Sequence, residues 1–334
     1  AIAVNSATPW RTFKEWMDAV KAKPDTVSYS AFGPATAQHI AAEILVRAAG
    51  LRMTYVPFPG GAPAVNAALA GHVQTVLANV NEIQAHAESG KLRWYYQQVP
   101  HDVRGYALAS APILFNYKKD GKTIPAVGQA SKLGWFFVND RTTGKLLLKS
   151  EPFVPQKNLF AKATFEGVTL YPGILGGSNW SPAAIDESAQ QAFVAAIHAP
   201  IRYTLHETPA KDGKEAIRYA SSEPADEPRW GLLSSIDLAT GKINWQNKTD
   251  QPLVGGVLVT AGGLVFTGEG NGHFNAYDEK TGQLLWQASN EYGVNAPPIT
   301  YQIDGEQYIA VAAGGSSIFG YKQGDHLLVY KLKN

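Results

Sequence analysis

The order of apolar and polar positions changes character partway along the chain. In the first part, helical periodicity alternates with short strand-like runs. TFKEWMDAVKAK (12–23) places Phe13, Trp16, Met17 and Val20 at helical spacing, and Pro24 stops the run. VSYSAF (27–32) reads as a strand that ends at Gly33-Pro34. ATAQHIAAEILVRAAG (35–50) sets Ile40, Ile44, Leu45 and Ala48 on one face, with Gly50 as the C-cap. TYVPF (54–58) is a short strand, and Gly60-Gly61 opens a third helix. QTVLANV (74–80) is another strand, followed by a polar helix to Ser89-Gly90. Strands alternating with helices over roughly 90 residues predict an α/β sandwich lobe.

The second part lacks that alternation and repeats a turn instead. The copies are DRTTGKLL (140–147), DLATGKINW (237–245) and DEKTGQLLW (278–286), with a degenerate SGKLRW at 89–94. Their glycines at 90, 144, 241 and 282 are 54, 97 and 41 residues apart. A period of roughly 40–50 residues with Gly turns and a closing Trp predicts an all-β propeller of about four blades, or five. In this motif Asp begins the turn, Thr-Gly supplies a positive φ, and Trp docks one blade on the next. Residues 186–230, ending in ASSEPADEPRW, read as a polar, Pro-containing insertion of surface loops.

Composition sharpens this division. Of 334 residues, positions 1–93 hold 6 of the 32 Gly and 2 of the 8 Trp, so two domains are expected, 1–93 and 94–334. A net charge of +1, from 29 basic and 28 acidic residues, gives no field for nucleic acid. The absence of Cys removes disulfides, thiolate metal sites and thiol nucleophiles. The eight His residues show no metal-binding spacing, so no metal site is expected, and the Gly-x-Ser-x-Gly elbow of serine hydrolases is missing. No apolar run is long enough to span a membrane. Glu269 and Asp278 straddle a strand and follow the turn pattern, which gives them structural roles.

The first part resembles the periplasmic solute-binding proteins of tripartite tricarboxylate transporters. The resemblance rests on KAKPDTVSYSAFGPATAQHIAAEILVRAAG (21–50), YVPFPGGAPAVNAALAGHVQTVLANV (55–80) and AESGKLR (87–93). It covers one lobe of a two-lobed binding protein. It implies a carboxylate held by the Ser30–His39 loop, with Ser30, Gly33, Thr36 and His39 as binding residues, and by the turn at Gly60-Gly61. Backbone N–H groups at a helix N-terminus suit an anion.

The second part resembles the C-terminal half of the quinoprotein alcohol dehydrogenases, which use pyrroloquinoline quinone in an eight-bladed propeller. RWYYQQVPHDV (93–103), DGKTIPAVGQASKLGW (120–135), SEPFVPQ (150–156), PGILGGSNWSPAA (172–184), GGVLVTAGGLVFTGEGNGHFNAYDEKTGQLLW (255–286) and DGEQYIAVAAGG (304–315) carry it. It implies that Lys132 contacts the quinone carbonyls, where a cation suits a developing oxyanion, and that Asn179-Trp180 lie at the cofactor rim. The family's catalytic Asp and calcium ligands are expected in the half that the binding-protein lobe replaces, so no catalytic residue is assigned and calcium is not expected. Two departures stand inside the matched part. The usual Trp-Asp-Tyr-Asp reads Arg104-Gly105-Tyr106-Ala107, and Ser316-Ser317-Ile318-Phe319 follows Ala313-Gly314-Gly315 without the particular aromatic that some relatives place against the quinone.

Together the resemblances imply a gene fusion joined at Gly90-Lys91-Leu92-Arg93, located in the periplasm. The small-molecule ligand is an alcohol or a carboxylate, and two sets of four blades in a homodimer would complete the ring. Alcohol oxidation is expected to be weak or absent. Binding of a small carboxylate by the first lobe, or a scaffold role, is the alternative.

Overall fold

The computed structural model describes residues 2–5, 7–10, 12–33, 36–77, 94–100, 102, 104–209 and 216–331. The end of the strand expected at 74–80, the polar helix after it and most of the repeat copy at 89–94 lie outside the described residues. The chain forms two compact units, Ala1–Tyr95 and Tyr96–Asn334.

In the first unit, helices α1 (Phe13–Ala22), α2 (Ala37–Ala48) and α3 (Gly61–Leu69) accompany one four-stranded sheet. Its strands are β1 (Ile2–Val4), β2 (Ser28–Phe32), β3 (Thr54–Phe58) and β4 (Thr75–Leu77), in the order β1-β4-β2-β3. β2 runs parallel to β3 and β4, and β1 is antiparallel to β4. Thr12 and Glu15 cap α1 reciprocally, which satisfies two of the N–H groups the first turn leaves open. Adjacent residues of β4 point to opposite faces: Thr75 accepts from Trp16 Nε1 of α1, while Val76 packs with Ala64 and Val65 of α3. Helices therefore cover both faces of the sheet.

The apolar face read for α2 needs correction. Ile40 and Ile44 are 50% and 63% exposed, whereas Ala42 and Val46 are buried. The helix is apolar around much of its circumference, so spacing alone does not say which stripe meets the core. Gly50, at φ +62, ends it with hydrogen bonds from Gly50 N to Arg47 O and Leu51 N to Val46 O.

The second unit is a series of antiparallel meanders. The first blade contains β5 (Ile113–Lys119), β6 (Lys122–Ala130), β7 (Phe136–Asp140) and β8 (Leu146–Lys149). After β9 (Val168–Leu170), the second blade contains β10 (Ala184–Asp186), β11 (Gln191–His198), β14 (Trp230–Asp237) and β15 (Ile243–Thr249). The third contains β16 (Val257–Thr260), β17 (Leu264–Gly268), β18 (His273–Asp278) and β19 (Leu284–Ser289). The fourth has three strands, β20 (Ile299–Ile303), β21 (Glu306–Ala313) and β22 (His326–Lys331). β12 (Ile201–Thr208) and β13 (Ile217–Pro224) pair with each other and with β9 in a separate sheet.

The stretch 186–230 is thus not a set of surface loops. It contains the buried strand β11 and the β12–β13 hairpin. β11 is apolar at nearly every position because it is covered on both faces, so it shows no alternation to read.

Burial shows how the blades stack. Phe115, Ala126 and Val138 of the first meet Val194, Leu232 and Ile236 of the second. The opposite face of the second, with Phe193, Ala195 and Leu233, meets Val257, Val265 and Tyr277 of the third. Phe266, Phe274 and Ala276 on the far side of the third meet Ile309, Val311 and Leu328 of the fourth. This face-to-face succession is a propeller-type array.

Candidate functional site

In a meander, successive turns lie at alternate ends. The Asp-to-Gly repeat turns join the third strand of a blade to the fourth, so they share one end. At the other end lie the connections entering each first strand (96–112, 150–183, 250–256 and 290–298). The connections between second and third strands share that end, including 131–135 and 269–272. Hydrogen bonds fasten these loops side by side. Ser110 Oγ donates to Ser181 O at 2.9 Å, and Ser181 Oγ donates to Val254 O at 3.0 Å. Gly256 continues the series, since a Cβ there would lie 2.7 Å from Pro297 and 3.1 Å from Pro182.

Lys132 sits where two of these loops meet. Ser178 N donates to Ser131 O at 3.0 Å, and a Cβ on Gly177 would stand 2.2 Å from Lys132 O. The Lys132 side chain is 8% exposed, and its ammonium donates to Gly105 O at 3.2 Å. Burial pushes its pKa down, and Asp102 nearby opposes that shift. The ammonium lies 5.8 Å from the Trp180 ring centroid, and that ring is 62% exposed. Asn179 is 2% exposed, yet neither atom of its amide has a hydrogen-bond partner. The three residues the sequence singled out in this part are therefore neighbours at the loop-bearing end.

The replaced Trp-Asp-Tyr-Asp stretch lies at the same place. Gly105, at φ +85, presents a carbonyl to Lys132 where the related stretch carries a carboxylate. Arg104 turns away and donates to Phe160 O and Ala161 O. The Tyr106 hydroxyl is buried without a partner, and burial pushes its pKa up to about 12. Phe319 stacks on Tyr321, whose hydroxyl donates to Pro252 O at 2.9 Å. Sequence reasoning missed Tyr106, Gln251 and Asn295, all with buried unpartnered polar atoms. A single amide inside the Gly- and Pro-rich GVNAPP (293–298) is the sort of signal that could have marked Asn295.

In the first unit, Ser30 lies beneath α3, fully buried, with its hydroxyl donating to Ala64 O and Thr75 O. Gly33, at φ +53, donates its N–H to Phe58 O. Thr36 caps α2 and accepts from His39 N, while Gly60 precedes Gly61 and α3 without a side-chain cap. Because α2 and α3 follow neighbouring parallel strands, their N-termini open at one edge of the sheet. His39 stacks on Tyr55 at 4.0 Å, and its Nε2 lies 3.9 Å from the Glu43 carboxylate. Thr36, His39 and Gly60-Gly61 thus share an edge, and Ser30 faces inward.

The second unit is a propeller-type segment that follows an α/β segment. Family models match two parts of the chain: residues 1–125, which run past the first unit into β6, match the tripartite tricarboxylate transporter family receptor, and residues 206–309 match the glucose/ethanol/alcohol dehydrogenase beta-propeller domain. The quinoprotein ethanol dehydrogenase of Pseudomonas putida is 36% identical over 251 residues, covering 68% of this chain and 40% of that protein. The Pseudomonas aeruginosa quinoprotein ethanol dehydrogenase is 32% identical over 269 residues, covering 73% and 43%. The crystal structure of quinohemoprotein alcohol dehydrogenase from Comamonas testosteroni superposes with a TM-score of 0.62 at 28% identity, over 73% of this chain and 41% of that one. The chain spans about two fifths of the length of the curated relatives it matches.

Proposed function

We propose that the second unit is a quinone-binding half-site of the alcohol dehydrogenase type, half of an eight-bladed ring. The observation that carries this reading is the unpartnered, buried amide of Asn179 on the segment that packs against the loop of the buried Lys132, whose ammonium faces the adjacent Trp180 ring. A buried polar group without a partner costs about 1–3 kcal/mol, and a ligand bearing carbonyl oxygens relieves that cost. Pyrroloquinoline quinone fits this donor set: Lys132 and Asn179 would hold it, with Trp180 at the rim. When bound, the group supplies the two-electron acceptor for alcohol oxidation. Lys132 would stabilise negative charge on a carbonyl oxygen. A base must also take the alcohol proton; near Lys132, Gly105 offers a carbonyl and Asp102 a carboxylate. Among the described residues no three His, Cys, Asp or Glu side chains form a group that could hold a metal ion, and no calcium site is proposed. The expected ethanol turnover by the chain alone is weak or absent. A periplasmic location is proposed from both resemblances, and no helix of the described residues is long and apolar enough to cross a membrane.

Gel filtration of the full chain with pyrroloquinoline quinone and calcium, read by quinone absorbance and dye-linked ethanol oxidation, tests the reading. Quinone should elute with the protein, with little turnover. Lys132→Gln should weaken retention by about 10- to 100-fold, the range for a charge-assisted hydrogen bond. Protein that elutes free of quinone overturns the reading.

A second reading concerns the first unit, where two helix N-termini open at one edge beside His39. We infer that this edge binds a small carboxylate through backbone N–H groups. Calorimetry with succinate and citrate should give heat that His39→Ala reduces. No heat with either acid would count against it.

A further inference from the structure

Each connection that enters a blade's first strand carries at least one buried polar atom without a partner. They include Gln98 Oε1, the Tyr106 hydroxyl, the Asn179 amide, Gln251 Oε1 and both amide atoms of Asn295. Such groups on four successive loops are a costly arrangement for a protein to retain, since a buried group left unpaired keeps its full desolvation penalty. The loops that bear them are neighbours. The connection containing Gln251 accepts from Ser181, two residues beyond Asn179. A Cβ on Gly255 in that connection would lie 3.5 Å from Asn295 Cα.

We propose that Gln251 and Asn295 bind the same ligand as Lys132 and Asn179, so that four loops form one polar collar. The collar defines the ligand's chemistry. Two amides and an ammonium offer N–H donors, while the amide oxygens of Asn179, Gln251 and Asn295 require donors in return. One buried cation suits an anionic ligand. The matching class is a planar heteroaromatic quinone with carboxylate and carbonyl oxygens on its edge and a ring N–H or hydroxyl between them. This inference rests on the quinone reading above and extends it to residues for which that reading has no role.

The test titrates pyrroloquinoline quinone into the full chain and its Asn295→Leu and Gln251→Leu variants by tryptophan fluorescence. It also records the Tm of each ligand-free protein. Losing one hydrogen bond should raise Kd roughly three- to tenfold in each variant. The ligand-free Tm should stay level or rise, because an unsatisfied amide is removed. Asn295→Ser serves as a second variant if leucine proves too large to fold. Wild-type binding with unchanged Kd in the variants overturns this proposal and leaves the quinone reading standing. A Tm lowered in both Asn295 variants shows that the amide has a structural partner, which also overturns it. No binding by the wild type overturns both.

Discussion

Lys132 owes its setting to glycine as much as to its own charge. Gly177, at φ +61, lets the 176–182 segment close on the Lys132 backbone, where any Cβ would meet the carbonyl oxygen at 2.2 Å. The identities of Lys132, Asn179 and Trp180 could be picked out in the sequence because they stand in a dense family resemblance. Their environment could not, since burial of the Lys132 ammonium depends on loops that are separate in the chain, such as that of Gly105, 27 residues away, and that of Trp180. Gln251 and Asn295 gave no sign for the same reason. A titration elsewhere belongs to this scale. Burial and a hydrogen bond with the Asp186 carboxyl push Glu279 up to about 7. An acid whose folded pKa exceeds its unfolded value of about 4.3 contributes stability that is complete below the unfolded pKa. That contribution is lost as pH rises through about 7. Asp186 is shifted down by its hydrogen bonds and acts in the opposite sense at acid pH. Urea midpoints should therefore fall from pH 5 to pH 8 in the wild type, and Glu279→Gln should flatten that slope and be the more stable protein at pH 8. A steeper slope in the variant would contradict the assignment.

The repeated turn shows how local chemistry sets an element. Asp140 Oδ1 accepts from the N–H groups of Thr142 and Thr143, Asp237 Oδ1 accepts from Ala239 N, and Asp278 Oδ1 accepts from Lys280 and Thr281. In each copy the Gly has positive φ and donates its N–H to the Asp carbonyl. These turns could be read from spacing because their hydrogen bonds run within a few residues. The docking that follows is long-range but was encoded by the closing Trp. Trp245 Nε1 donates to Glu279 O at 2.8 Å, and the indole lies over Gly282 of the next blade. The first copy has Leu148 against Gly241 instead. Elements without a repeat were harder: β11 was hidden because burial on both faces erased its alternation. Gly282→Ala should cost about 2–4 kcal/mol, combining positive φ with a Cβ 2.6 Å from the Trp245 ring. Gly305→Ala, also at positive φ but with open space around it, should cost about 1–2 kcal/mol. Thermal unfolding of the two variants checks this. Equal losses would mean that the indole does not hold the turn.

At the scale of the whole molecule, the last blade of the array has an outer face that no later blade covers among the described residues. The side of the fourth blade facing away from the third exposes Ile299, Tyr301, Ile303, Leu327 and Val329. Within the chain, the corresponding face of each of the first three blades is covered by the next blade. The homodimer expected from the resemblance would cover it with a second copy. Light scattering after size exclusion should then give twice the chain mass, and Leu327→Glu should return the monomer mass. A monomeric wild type would contradict that arrangement without touching the Lys132 site. The central claim, that the loop-bearing end is a quinone site built from Lys132 and Asn179, is tested most directly by a crystal structure of the chain with pyrroloquinoline quinone. The account predicts quinone oxygens within hydrogen-bond reach of the Lys132 ammonium and the Asn179 amide, with the indole of Trp180 at the edge. Quinone bound elsewhere, or none at saturating concentration, would contradict it.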